Sequence, residues 1–100
     1  MSEGFDFKEV IDAREVIVFE YDGLPRRAEP ATYGINSKGN IVLRACLVDG
    51  QSKTRTLPCW ELYSVSKMVN TGATGQHFKD FTVAGYKRND SQIATIWAEH

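Results

Sequence analysis

The sequence lacks the features that mark several large classes of protein. Its 100 residues contain no apolar run long enough to span a bilayer. The N-terminal segment has no basic stretch followed by an apolar one, so it does not resemble a secretory signal. The net charge of −1, from 12 Lys and Arg against 13 Asp and Glu, is not the positive excess typical of bulk nucleic-acid binders. We therefore expect a cytoplasmic protein with no membrane partner.

Cysteine and histidine are scarce, with two of each. Without an export signal, Cys46 and Cys59 are expected to be reduced thiols. A metal site formed with His77 is one interpretation, but no closely spaced Cys pair supports it, and the alternative is that Cys46 packs as a small apolar side chain. Residues 72–75 lack the Lys and Ser or Thr of a phosphate-binding loop, and no nucleophile motif is present. We expect no catalytic residues, no metal and no cofactor, and therefore not an enzyme.

The composition predicts one globular domain spanning residues 1–100. The apolar share of 42% and the charged share of 25% are those of ordinary soluble domains, and we find no repeat or linker. The charge is uneven, because residues 1–50 hold six basic and nine acidic residues whereas residues 51–100 hold six and four. An anion-binding face is therefore expected to draw mainly on the second half.

A short helix is predicted near the N-terminus. Asp6 and Glu9 have the spacing of a capping box. Phe7, Val10 and Ile11 follow at i, i+3 and i+4, which forms one apolar stripe over about two helical turns.

Short strands separated by turns make up the rest of the pattern. The segments predicted to be extended are 15–21, 26–35, 41–48, 51–57, 62–65, 69–74 and 92–97. Asp49-Gly50 is a strong hairpin signal, and Pro30 confines its strand to a sheet edge or a bulge. The expected core includes Ile17, Phe19, Leu43 and Leu47. The pattern predicts a mainly β fold of the α+β type, a small, strongly bent antiparallel SH3- or Sm-like β-barrel with one N-terminal helix.

Basic residues alternate with aromatic residues along the chain. The candidate ligand-binding residues are Tyr21, Arg26, Arg44, Arg55, Trp60, Tyr63 and Lys67. Basic side chains on neighbouring strands bind phosphate, and rings beside them stack on bases. Arg44 and Arg55 lie at equal distances from Asp49-Gly50, which places these like charges opposite each other unless the return strand is shifted. The alternative is that the rings belong to the core and rim, while the basic side chains pair with Glu20, Glu29 and Glu61.

The order of these residues resembles the WYL domain family. The matching segments are Val18–Tyr21, Arg26–Pro30, Gly39–Ala45, Glu61–Met68 and Phe78. They follow the family pattern of a strand ending in Tyr, an Arg shortly before Pro, a Trp-Tyr-Leu strand, an Arg-containing segment and a final Phe. Of the Trp-Tyr-Leu signature only Leu43 is present, and Glu61 and Lys67 stand where the family has Arg. The resemblance implies an Sm-like barrel and a ligand-sensing role towards nucleic acid or nucleotides.

We therefore predict a stand-alone WYL-like module with a non-catalytic regulatory function. It would hold a small anionic ligand, a nucleotide or a short single-stranded nucleic acid, on a basic and aromatic face of the barrel. The alternative hypothesis is a protein interaction or homodimerisation module that uses an exposed strand edge. A small phage or accessory inhibitor of a host complex fits that description.

Overall fold

The computed structural model describes residues 5–50, 59–82 and 90–100 of the chain. One helix, one 3-10 turn and six antiparallel strands make up this part of the protein. In chain order they are α1 Phe7–Ala13, β1 Glu15–Tyr21, β2 Leu24–Ile35, β3 Ile41–Gly50, β4 Cys59–Ser64, the 3-10 turn Val65–Lys67, β5 Val69–His77 and β6 Thr95–Glu99. The predicted mainly β fold with one N-terminal helix is confirmed. Across the described ranges, no helix is both long enough and apolar enough to cross a membrane.

The helix α1 begins at the predicted cap. The side chain of Asp6 accepts a hydrogen bond from the backbone N–H of Glu9 at 3.1 Å, which satisfies a donor that has no partner within the first turn. The helix ends at Arg14, whose left-handed backbone (φ 55°) turns the chain into β1. All three residues of the predicted apolar stripe are buried: Phe7, Val10 and Ile11.

One sheet holds the six strands in the order β4-β3-β2-β1-β5, and β6 pairs with β2. The N-terminal part of β2 pairs with β1 and its C-terminal part, Thr32–Ile35, pairs with β6. Because β2 is central, Pro30 does not lie at a sheet edge; it lies beside a register shift, as the bulge alternative predicted. Within the described residues β4 and β5 do not pair with each other, so the sheet is not closed into a barrel there.

The Asp49-Gly50 dipeptide does not form the predicted hairpin turn. Both residues belong to β3 and pair with Arg27 and Arg26 of β2. The ladder to β2 extends β3 through a dipeptide that favours a turn locally, because pairing with a neighbouring strand overrides local preference. The predicted return strand 51–57 lies outside the described residues. The next strand, β4, begins at Cys59, three residues before the strand predicted at 62–65.

The two faces of the sheet carry different residues, since directly paired residues on neighbouring strands point to the same side. The inner face packs on α1 and includes Ile17, Phe19, Ala28, Leu43, Ala45, Leu47 and Tyr63. The outer face includes Glu29, Thr32, Arg44, Cys46 and Trp60. The four residues predicted for the core are all buried on the inner face.

The strand β6 approaches β2 most closely at Gly34. A Cβ atom at this position would lie 2.1 Å from the carbonyl oxygen of Thr95 and 2.7 Å from the side chain of Ile93. Only a residue without a side chain fits there. The predicted last strand, 92–97, is displaced towards the C-terminus as β6, and the buried Ile93 lies close to Gly34.

Candidate anion-binding site

The structure brings three of the seven predicted site residues together on the inner face. Tyr21, Arg26 and Tyr63 form a cluster with Phe19, which we call the Arg26 cluster. The Tyr63 ring centroid lies 5.0 Å from that of Phe19 and 4.9 Å from that of Tyr21, and both pairs meet edge to face. Register places Arg26 directly opposite Phe19 on the β1–β2 hairpin, so the arginine side chain shares the face of these rings.

Arg26 is a buried cation without an anionic partner in the described part of the chain. Its side chain is only 7% exposed. One Nη2 N–H donates to the backbone oxygen of Tyr21 at 3.2 Å, and the guanidinium carbon lies 5.7 Å from the centroid of the Tyr21 ring. The Nε atom is buried and has no hydrogen-bond partner. Among the described residues, no carboxylate forms an ion pair with Arg26.

This arrangement is energetically costly for a protein that binds nothing. Burying an unpaired charge costs several kcal/mol. One hydrogen bond from a charged donor stabilises the fold by about 1.5–3 kcal/mol, and a cation–π contact by about 0.5–2 kcal/mol. An oxyanion that accepts from Nε would supply the missing charge and satisfy the remaining donor. The Arg26 cluster is therefore the candidate anion-binding site.

A hydrogen bond ties the cluster to the end of β4. The hydroxyl oxygen of Tyr21 accepts from the backbone N–H of Ser64 at 3.1 Å. Tyr21 thus contacts the cation through its carbonyl oxygen and ring, and contacts the opposite edge of the sheet through its hydroxyl. The tyrosine fixes the position of Arg26 relative to β4.

A shallow groove of about 410 Å³ adjoins the cluster across the β1–β2 hairpin. Its lining is Val18, Phe19, Glu20, Pro25, Arg26, Arg27 and Asn70. Arg27 donates to the side-chain oxygen of Gln76 at 3.3 Å, and Asn70 donates to Glu20 at 3.3 Å. Register places Glu20 and Arg27, which have opposite charges, on the side of the hairpin opposite to the Arg26 side chain.

Arg44 is not part of the cluster, because it lies on the outer face. Its Nε donates to Asp90 at 2.7 Å, and Nη2 also donates to Gln92. Burial raises the pKa of Asp90, but the hydrogen bonds from Arg44 and from the backbone of Gln92, with the charge of Arg44, outweigh it and leave the pKa below its ordinary value. This cation is already neutralised within the protein.

Of the remaining predicted residues, Lys67 and Trp60 are also outside the Arg26 cluster. In the sheet, Arg44 has Thr32 on one side and Leu62 on the other. Arg55, which was expected opposite Arg44, lies outside the described residues. Lys67 is exposed on the 3-10 turn. Trp60 is on the outer face, with its ring centroid 4.9 Å from that of Phe81.

The sequence pattern missed two carboxylates that hold the chain to the outer face. Asp90 pairs with Arg44 across 46 residues of sequence, and Glu29, which is 5% exposed, accepts from the N–H and the hydroxyl of Thr82, both at 2.8 Å. The alternative that basic side chains pair with Glu20 and Glu29 is not what the structure shows, because these residues bind Asn70 and Thr82. A sequence signal for Glu29 was available, because it is a charged residue in an otherwise apolar stretch of β2. The sequence around Asp90 gave no such signal.

Comparison with known proteins adds no assignment: the chain matches no family model, no curated protein and no solved structure. The geometry of the site therefore carries the functional argument.

Proposed function

We propose that this protein is a cytoplasmic, non-catalytic regulatory binding module that holds a small anionic ligand at the Arg26 cluster. The observation that carries the proposal is the burial of Arg26 without an anionic partner in the described residues. The likeness to the WYL pattern supports the same role, since Tyr21 and Arg26 belong to the matching segments. An Sm-like barrel is the fold expected from that likeness and is part of the proposal.

A second candidate, an interaction or homodimerisation module, is favoured by one surface feature. Val18 and Val69 are 36% and 52% exposed, and β5 has an unpaired outer edge within the described strands. Such an edge can pair with another chain. However, β5 pairs irregularly with β1, and irregular strands resist edge-to-edge pairing. The anion-binding function is therefore the better supported of the two.

The test is ligand binding by wild type, Arg26→Met and Lys67→Met. Both variants lose one positive charge, but Lys67 is exposed and outside the cluster, so it controls for net charge. Inorganic phosphate, adenosine monophosphate and a short oligothymidylate are titrated by calorimetry at low and moderate salt. We expect Arg26→Met to weaken binding by about tenfold or more, because a hydrogen bond to a charged group is lost. Lys67→Met is expected to change it by less than about twofold.

A folding measurement separates this role from a structural one. Because Arg26 is buried without an anion, its replacement by the apolar Met should leave the melting temperature unchanged or raise it. A strong loss of stability would show that Arg26 has a structural partner. Failure of all three probes to bind at low salt, together with a concentration-dependent dimer in sedimentation, would overturn the proposal in favour of the interaction module.

A further inference from the structure

The Arg26 cluster, if it binds an anion as proposed above, has a geometry that limits the kind of ligand it can take. We infer that the ligand carries one compact oxyanion, a phosphate or a carboxylate, beside a single aromatic ring, and is not a polyanionic strand. The inference rests on the proposed function and on two observations: the number of cations and the exposure of the rings.

The described part of the cluster contains one cation. Arg27, the neighbour of Arg26, is paired with Val18 and so points to the opposite side of the hairpin, where it binds Gln76. Arg44 is on the outer face and neutralised by Asp90. A protein that binds a nucleic-acid strand uses a row of cations that follows the backbone. One guanidinium suits one oxyanion group.

Only one ring of the cluster has a surface that a ligand can reach. Phe19 and Tyr63 are 3% and 2% exposed, and their edge-to-face contacts leave no space for a base between them. Tyr21 is partly buried and retains exposed surface. Successive bases of a strand need successive stacking surfaces. A single accessible ring beside a single cation instead fits a ligand with one ring and one anionic group.

The test compares four probes on the wild-type protein: adenosine monophosphate, indole-3-acetate, inorganic phosphate and a short oligothymidylate. We expect at least one of the two ring-bearing probes to bind more tightly than inorganic phosphate, because a stacked ring adds affinity. Which of them binds decides between phosphate and carboxylate. The oligothymidylate should bind no more tightly than the mononucleotide, and the slope of log K against log salt should match about one released counterion.

Two variants of Tyr21 test the role of the ring. Tyr21→Leu should weaken binding of the ring-bearing probe by a larger factor than it weakens binding of inorganic phosphate. Tyr21→Phe keeps the ring and should keep the preference for the ring-bearing probe over inorganic phosphate, which keeps the test valid if the Leu variant folds poorly. Tight binding of the oligonucleotide with a salt slope of several counterions, still dependent on Arg26, would overturn this inference but not the proposed function. Binding that is insensitive to Arg26→Met would instead overturn the proposed function.

Discussion

The ion pair between Arg44 and Asp90 should stabilise the folded protein by about 2 kcal/mol. Its Nε–Oδ2 distance is 2.7 Å, and the two side chains are 20% and 12% exposed. Fully exposed pairs contribute about 0.2–1 kcal/mol, whereas hydrogen bonds to charged groups in partly buried positions contribute about 1.5–3 kcal/mol. The low exposure of both partners places this pair nearer the second range.

A double-mutant cycle with Arg44→Met and Asp90→Asn measures this coupling. Asn keeps an oxygen that can accept from the backbone N–H of Gln92, so the substitution removes mainly the charge. The free energy of unfolding of each variant is measured with urea. The coupling is the loss of this free energy in the double variant minus the sum of the losses in the two single variants. The Asp90→Asn variant should lose more than the coupling alone, because Arg44 is then a largely buried cation without its counter-charge. A coupling below about 0.5 kcal/mol would refute the reasoning, since it would match an exposed pair.

The same pair should make stability depend on acid pH. The pKa of Asp90 is lower in the folded protein than its ordinary value of about 3.9, so the unfolded chain binds the proton more readily. Its contribution is therefore complete above about pH 5 and is lost as the pH falls through the folded pKa. The coupling energy measured by the cycle should decrease as the pH falls through that range. The free energy of unfolding of Asp90→Asn should depend less on pH than that of the wild-type protein. A coupling that stayed constant down to about pH 2 would contradict the assignment.

Three further predictions concern the packing of the sheet and one side-chain hydrogen bond at the end of β4. Gly34→Ala should destabilise the fold by about 2 kcal/mol or more, because its Cβ would overlap β6; Gly72→Ala, whose Cβ meets nothing within 4 Å, is the control and should cost little. Leu43→Ala should cost about 2–5 kcal/mol, and Ile41→Ala on the same strand, 40% exposed, should cost much less. Tyr21→Phe should cost about 1 kcal/mol, because a backbone N–H at the end of β4 loses its acceptor. Urea unfolding of each variant measures these losses; equal losses within the glycine pair or within the Leu43 and Ile41 pair would contradict the packing described, and no loss in Tyr21→Phe would contradict the hydrogen bond to Ser64.

Local patterns predicted the elements whose signals lie within a few residues. The helix α1 follows from the capping residue Asp6 and a three-residue apolar stripe, and β1 follows from an unbroken β-branched and aromatic run. The core residues of β3 follow from alternation, since Leu43 and Leu47 lie on one face. These features are fixed by neighbours in sequence, so no knowledge of distant contacts was needed.

The features that depend on distant pairing could not be predicted in this way. Asp49-Gly50 favours a turn by itself, but β2 supplies two residues for it to pair with. The partner of Arg44 lies 46 residues away, in a segment with no periodic pattern. The bulge after Pro30 shifts the alternation of inward and outward side chains along β2. Simple alternation from Tyr33 therefore could not predict on which side of the sheet Arg26 lies.

The pairing of β2 with β6 has a consequence for the order in which the chain can fold. The hairpins β1–β2 and β2–β3 join strands that are adjacent in sequence, so they close short loops and can form early. By contrast, Thr32 pairs with Glu99, and this contact closes a loop of about two-thirds of the chain. During synthesis the edge of β2 around Gly34 therefore stays open until β6 has been synthesised. Variants that refold slowly should aggregate through this edge. Substitutions in β6 should speed unfolding and leave the rate at which the early hairpins form unchanged.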